Sequence, residues 1–168
     1  MKKLLYFITA VLCFVACEPN SPGSSTTKGE YVDLGLSSGT KWKALNEYNP
    51  NDANGFYSYE EATSLFGKNL PTKVQWMELI NECKWTWSGM GSRVVGRTGN
   101  SITLPAEGVP GYSSSNVEYV GIAGYYWSST PYDSQNSWIL VIANEREEYI
   151  DMAPIEMDGG AFSVRLVK

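Results

Sequence analysis

Apolar residues recur along the chain with two different periods. In residues 58–67 and 72–83 they recur every three or four positions, as on one face of a helix. Other segments are rich in β-branched and aromatic residues, which favour strands. These segments are residues 31–34, 40–43, 101–104, 125–129, 138–143 and 162–167. Early strands, two helices and then a loop-rich run of strands predict an α+β domain with a mainly antiparallel sheet.

Both predicted helices begin with a capping box, in which a hydroxyl and a side chain three residues later satisfy free backbone N–H groups. Ser58 with Glu61 starts the first helix, and Thr72 with Gln75 starts the second. Gly67 is a typical C-terminal cap for the first. The buried stripes are expected to comprise Ala62, Leu65 and Phe66 on the first helix and Trp76, Leu79, Ile80 and Cys83 on the second.

The last predicted strand alternates cleanly. Phe162, Val164 and Leu166 should point to one face, whereas Ser163 and Arg165 should point to the other.

Long loops rich in Gly, Ser, Asn and Tyr separate the later strands, over residues 86–99, 107–123 and 130–137. Tyr112, Tyr119 and Tyr132 lie in these loops. Tyrosine among Ser, Gly and Asn is the composition of adaptable binding surfaces, so these three residues are candidate ligand contacts. The alternative is that each ring packs over the edge of the core.

The N-terminus has the pattern of a bacterial lipoprotein signal. Lys2 and Lys3 precede an apolar run over residues 4–14, which is shorter than the ~20 residues of a membrane-spanning helix. Ala16 then precedes Cys17, the residue expected to be acylated. We therefore predict a signal peptide over 1–16, a lipidated Cys17 with a flexible tether over 17–28, and one domain over 29–168. A plain cleaved signal with a chance cysteine is the alternative.

Composition excludes several classes of function. The formal net charge is −5, which argues against nucleic-acid binding. Histidine is absent, so histidine-based catalysis and histidine metal ligation are excluded. Cys83 would be the single thiol of the domain, too few for a disulfide framework, and its place on a helix stripe favours an inert core residue. No cofactor is indicated.

Acidic residues are concentrated near the C-terminus. They are Glu145, Glu147, Glu148, Asp151, Glu156 and Asp158. Converging oxygens could hold Ca²⁺, but the spacing matches no known calcium loop, so a solvated acidic surface is favoured.

Five ordered blocks resemble those of a known family. They are YVDLGLSSGTKW (31–42), LPTKVQWMELI (70–80), GNSITLPA (99–106), GYYWSS (124–129) and FSVRLV (162–167). In this order they resemble the Fibrobacter succinogenes major paralogous domain, which is common in exported proteins of Bacteroidetes. The chain departs from the family pattern between Lys43 and Tyr57.

The resemblance implies a C-type-lectin-like fold and no established activity. It also implies that the last strand pairs near the strand at 31–34, and that loops 107–119 and 130–137 cluster on one face. We accordingly expect a non-catalytic recognition domain for a glycan or protein ligand, attached by its lipid to the cell envelope at the outer membrane. A structural component of a surface complex or fimbria is the second hypothesis, and a glycan-acting hydrolase is the third.

Overall fold

The computed structural model describes residues 29–111, 116–144 and 148–168. Its elements in chain order are β1 (Tyr31–Asp33), β2 (Lys41–Lys43), α1 (Tyr59–Phe66), a 3₁₀ turn (Gly67–Asn69), α2 (Lys73–Glu82), β3 (Lys84–Trp87), β4 (Gly91–Val95), β5 (Ser101–Pro105), β6 (Val109–Pro110), β7 (Val117–Glu118), β8 (Ala123–Pro131), β9 (Asn136–Asn144) and β10 (Glu148–Glu156). Two helices with antiparallel sheets confirm the α+β class. Within the described residues no helix has the length and hydrophobicity needed to cross a membrane.

The strands form small antiparallel sheets. The described strands pair as β1-β2, as β3-β4-β5, as β6-β7 and as β8-β9-β10, with β9 in the centre of the last sheet. Strand β9 is a continuous apolar run over its middle, and both of its faces are covered, as expected for such a run. Leu140 and Ile142 belong to one buried cluster with Trp76 of α2, whereas Ile139 belongs to a second with Phe162.

Both helices begin where the capping boxes predict. The Glu61 and Gln75 backbone N–H groups each donate to the capping hydroxyl, of Ser58 and Thr72 respectively, at 3.2 Å. Gly67 ends α1 as predicted. The buried stripe of α1 is only partly as predicted, because Leu65 is 65% exposed. This eight-residue helix presents one narrow face to the core, and Ala62 and Phe66 occupy it.

Three strand regions were not predicted. One is the short β6-β7 pair, which lies within the predicted loop 107–123. Strands β3 and β4 pair along much of the segment assigned to loop 86–99. Strand β10 pairs with β9 from Glu148 to Glu156, although its sequence is acidic. Both of its faces carry apolar residues in their middle, and the acidic residues Glu148 and Glu156 are exposed at its ends while Asp151 is exposed next to the buried Met152.

The C-terminal segment, residues 162–168, lies between β8 and the chain that follows β2. It pairs at single positions with Trp42, Glu47, Tyr57 and Tyr126. The expectation that it pairs near 31–34 is borne out, since the segment pairs with β2, the neighbour of β1, and Tyr31 packs against the buried cluster that contains Phe162, Val164 and Leu166. Ser163 and Arg165 lie on the face opposite Phe162, Val164 and Leu166, where they contact Glu107 and Asn46. They too are buried, because the segment is covered on both faces.

Candidate functional site

A cleft of about 500 Å³ opens beside the C-terminal segment. One wall is the irregular chain over residues 44–48, and the other is β5 with the residues that follow it. The lining residues are Ala44, Leu45, Asn46, Glu47, Tyr48, Ser101, Ile102, Thr103, Pro105, Glu107 and Arg165. The wall over 44–48 therefore lies between Lys43 and Tyr57, outside the five sequence blocks given above.

Arg165 is fully buried beneath this cleft and binds its two walls together. Its Nε–H donates to Asn46 Oδ1 at 2.8 Å, and Nη1 donates to the backbone carbonyl oxygens of Lys43 (2.8 Å) and Ala44. On the opposite wall, Nη2 donates to the carbonyl oxygen of Thr103 at 2.6 Å. Burial lowers the pKa of Arg165 to about 10, so the guanidinium remains charged at neutral pH. Its donors point into the protein, and its role at the site is to position other groups.

Glu107 is held in one orientation at the cleft. Its Oε2 accepts from Ser163 Oγ at 2.5 Å and from Asn46 Nδ2 at 2.8 Å. The Asn46 amide thus connects the buried guanidinium to the carboxylate, which fixes the amide orientation. Glu107 lines the cleft, and none of the described residues donates to its other oxygen, Oε1.

Tyr126 is buried next to the Asn46 and Glu107 side chains. Its hydroxyl donates to the carbonyl oxygen of Pro105 at 2.5 Å. Burial raises the pKa of Tyr126 well above its usual value, so the hydroxyl stays protonated and keeps its role as a donor.

The rim of the cleft carries exposed apolar surface. Tyr48 is 60% exposed and Leu45 is 44% exposed. The Tyr48 ring lies against Gly55, where a Cβ would collide with the ring. Gly55 also has a φ of +81°, a conformation that glycine adopts without strain. Gly55 therefore allows the ring to lie flat on the loop.

Hydrogen bonds within residues 49–56 make this loop rigid. The buried Asn49 side chain donates to the carbonyl oxygen of Phe56 at 2.8 Å, and Asn49 N–H donates to that of Gly55 at 3.0 Å. Asp52 Oδ1 accepts from the backbone N–H groups of Asn54 and Phe56 at 2.9 and 3.0 Å. Tyr48 is consequently presented on a loop that is ordered without a ligand.

The charges around the cleft balance. Glu47 pairs with Lys43, and Glu107 lies in the electrostatic field of Arg165. Two carboxylates thus face two cations.

Among the described residues no three Asp, Glu or Cys side chains are close enough to hold a metal ion.

The tyrosines predicted from sequence lie elsewhere. Tyr119 precedes β8 and Tyr132 follows it. Both are exposed, and Tyr132 packs edge-on against Trp138 with ring centroids 5.1 Å apart. The clustering of loops 107–119 and 130–137 stays a prediction, and neither ring lines the cleft. Tyr112 and Cys17 lie outside the described residues.

The acidic C-terminal residues that are described lie on the surface. Glu148, Asp151 and Glu156 are exposed on the edge strand β10, and Asp158 is exposed after it. Glu145 and Glu147 lie outside the described residues.

Sequence reasoning missed the residues of the cleft. Arg165 offered the one signal, a charge in the middle of an otherwise apolar strand. That signal has two interpretations, a solvent-facing residue or a buried structural charge. Its partners lie too far away in sequence to decide between them, since Asn46 is 119 positions distant.

Comparisons with family models, with curated proteins and with solved structures found no match to this chain. The function is therefore argued from the geometry of the cleft and from the sequence patterns.

Proposed function

We propose that this chain is an envelope lipoprotein, acylated at Cys17, whose domain over residues 29–168 has a C-type-lectin-like fold and binds a glycan or protein ligand without catalysis. The signal-like N-terminus supports the attachment to the outer membrane. The five sequence blocks support the fold, and two helices with antiparallel sheets are compatible with it.

The observation that carries the recognition function is the preformed cleft between residues 44–48 and β5. Binding sites combine exposed apolar surface with a few oriented polar groups. Tyr48 and Leu45 provide the apolar surface, and Glu107 provides an oriented acceptor. Arg165 and the loop hydrogen bonds hold both walls in place, which reduces the entropy that binding would otherwise cost.

The contacts that Glu47 and Glu107 already make with protein groups favour a binding role over hydrolysis. A glycosidase needs two carboxyl groups facing the same bond, about 5–9.5 Å apart. Glu47 forms an ion pair with Lys43, and Glu107 accepts two hydrogen bonds through one oxygen. These contacts suit groups that orient a ligand.

One observation favours the second hypothesis, a structural role in a surface complex. Exposed Tyr119, Val120 and Ile122 lie near exposed Met90, which approaches Gly121. Exposed apolar patches of this kind mark protein contacts. Two results together would favour this role. The Val120→Asp variant would no longer co-purify with envelope proteins, and the cleft would capture no ligand.

The recognition function is tested with matched tyrosine variants. Wild type, Tyr48→Ala and Tyr132→Ala are compared on a glycan array and by co-purification from envelope extracts, with thermal melting of each protein as the control for folding. Capture that Tyr48→Ala loses and Tyr132→Ala keeps is the expected result. Equal capture by both variants would place recognition outside the cleft.

A further inference from the structure

We infer that the cleft beside Arg165 binds a neutral saccharide, with Tyr48 as the surface for a sugar ring and Glu107 as the acceptor for its hydroxyl groups. This inference rests on the proposed recognition function and names its ligand class. Three properties of the cleft carry it: its charge, its hydrogen-bonding groups and its flat aromatic surface.

The charge balance favours a neutral ligand. A phosphate or carboxylate ligand is bound by unpaired cations, but the Arg165 guanidinium is fully buried and its described partners are all protein groups. The Lys43 ammonium is paired with Glu47. Unpaired carboxylates would favour a cationic ligand. Here the carboxylates of Glu47 and Glu107 are balanced by the Lys43 and Arg165 cations.

The polar groups suit hydroxyls. A hydroxyl both donates and accepts, so it matches a site that offers acceptors and a few donors. Glu107 presents Oε1 while Ser163 and Asn46 fix its other oxygen, which determines the direction from which a hydroxyl can donate. The exposed Thr103 hydroxyl on the facing wall is able to donate or accept.

The apolar surface suits the C–H face of a sugar ring. Such a face is flat and weakly positive along its C–H bonds, and an aromatic face is negative. Gly55 allows the Tyr48 ring to lie flat, and the exposed Leu45 extends the apolar rim. At about 500 Å³ the cleft is within the roughly 300–1,000 Å³ typical of small-molecule sites, which favours a short saccharide segment over a folded protein.

The test is a calorimetric titration of the full-length mature protein with defined oligosaccharides. The neutral probes are four hexasaccharides, built from α-linked glucose, β-linked glucose, mannose and xylose. The charged probes are hexagalacturonate and the hexamer of glucosamine. Thermal melting of every variant serves as the control for folding.

Binding of at least one neutral hexasaccharide is expected. Tyr48→Ala should weaken it roughly tenfold or more, the factor that corresponds to about 1.4 kcal/mol. Tyr48→Phe should retain it, because the ring and not the hydroxyl makes the contact. Glu107→Gln should weaken it by a similar factor, and Tyr132→Ala should leave it unchanged.

The failures of the two proposals are distinguishable. Binding of a charged probe alone, lost in Tyr48→Ala, would overturn the neutral ligand class and leave recognition at the cleft standing. Binding that is unaffected by Tyr48→Ala and Glu107→Gln would overturn the inference by placing the saccharide elsewhere. The absence of binding by every probe would also overturn it, and Tyr48-dependent capture of an envelope protein would then still support the recognition function.

Discussion

Replacing Arg165 by methionine removes a side chain that donates hydrogen bonds to both walls of the cleft. Methionine fills similar volume without a charge, so the change isolates the lost hydrogen bonds and the lost cation. Four acceptors lose their donor: Asn46 Oδ1 and the carbonyl oxygens of Lys43, Ala44 and Thr103. The Glu107 carboxylate also loses its compensating charge.

The expected loss is about 3–5 kcal/mol in the free energy of unfolding, the usual cost of removing one partner from a buried charged network. Separate hydrogen bonds to a charged group contribute about 1.5–3 kcal/mol each, but they are not additive here because they share one guanidinium. For a domain of this size a loss of 1 kcal/mol lowers Tm by roughly 4 °C, so Tm should fall by roughly 12–20 °C.

Urea unfolding followed by tryptophan fluorescence measures this loss, because three tryptophans are fully buried. Arg93→Met is the matched control. Arg93 is exposed and its described hydrogen bond is to Ser101 Oγ at 3.2 Å, so its free energy of unfolding should change by about 0.5 kcal/mol or less. The double variant Arg165→Met/Glu107→Gln should be less destabilised than the sum of the single variants by about 1–3 kcal/mol, because it leaves no unpaired carboxylate. An Arg165→Met protein within 1 kcal/mol of wild type would refute the reasoning.

Further predictions concern the lipid, the core and pH. Cys17→Ser should abolish acylation, so labelling cells with an alkyne fatty acid should mark wild type and leave the variant unlabelled; equal labelling would exclude Cys17 as the acylated residue. Val164→Asp should cost several kcal/mol by burying an unpaired charge, whereas Leu65→Gln on the exposed side of α1 should change the free energy of unfolding by about 0.5 kcal/mol or less; similar losses in both would contradict the burial found here. Hydrogen bonds from Ser58 lower the pKa of Glu61 below 4.5, so its contribution to stability is present above pH 4.5 and is lost as the pH falls through its folded pKa; Glu61→Gln should flatten the stability profile in that window. Burial raises three tyrosine pKa values above 10, so each of these groups lowers stability as the pH rises above 10, whereas the lowered pKa of Arg165 acts in the opposite direction; Tyr126→Phe should therefore lose less stability than wild type between pH 9 and pH 11, and an equal loss in both would contradict this.

The helix starts were predictable because their determinants are adjacent in sequence. Each capping box joins residues three positions apart, and such bonds form whatever the rest of the chain does. The side of a helix that becomes buried depends on its neighbours, which is why Leu65 was assigned to the core and lies in solvent.

Strands were predictable in proportion to their burial. The apolar run of β9 is characteristic because both faces are covered, whereas β10 carries exposed acidic residues at both ends and at Asp151 and resembles a surface loop in sequence. Its nine paired residues depend on β9 as a partner, which no local pattern shows.

The sequence by itself determined the α+β class, the starts of both helices and the predicted division into signal, tether and domain, since these depend on composition and on contacts between near neighbours. Only the tertiary structure decided that Arg165 is buried and that Asn46 and Glu107 meet there. It also decided that Tyr48, and not Tyr119 or Tyr132, borders the cleft. The reason is sequence separation: Arg165 is 119 positions from Asn46, and Ser163 is 56 from Glu107. Whether a charge in an apolar strand faces water or protein depends on which distant segments cover that strand.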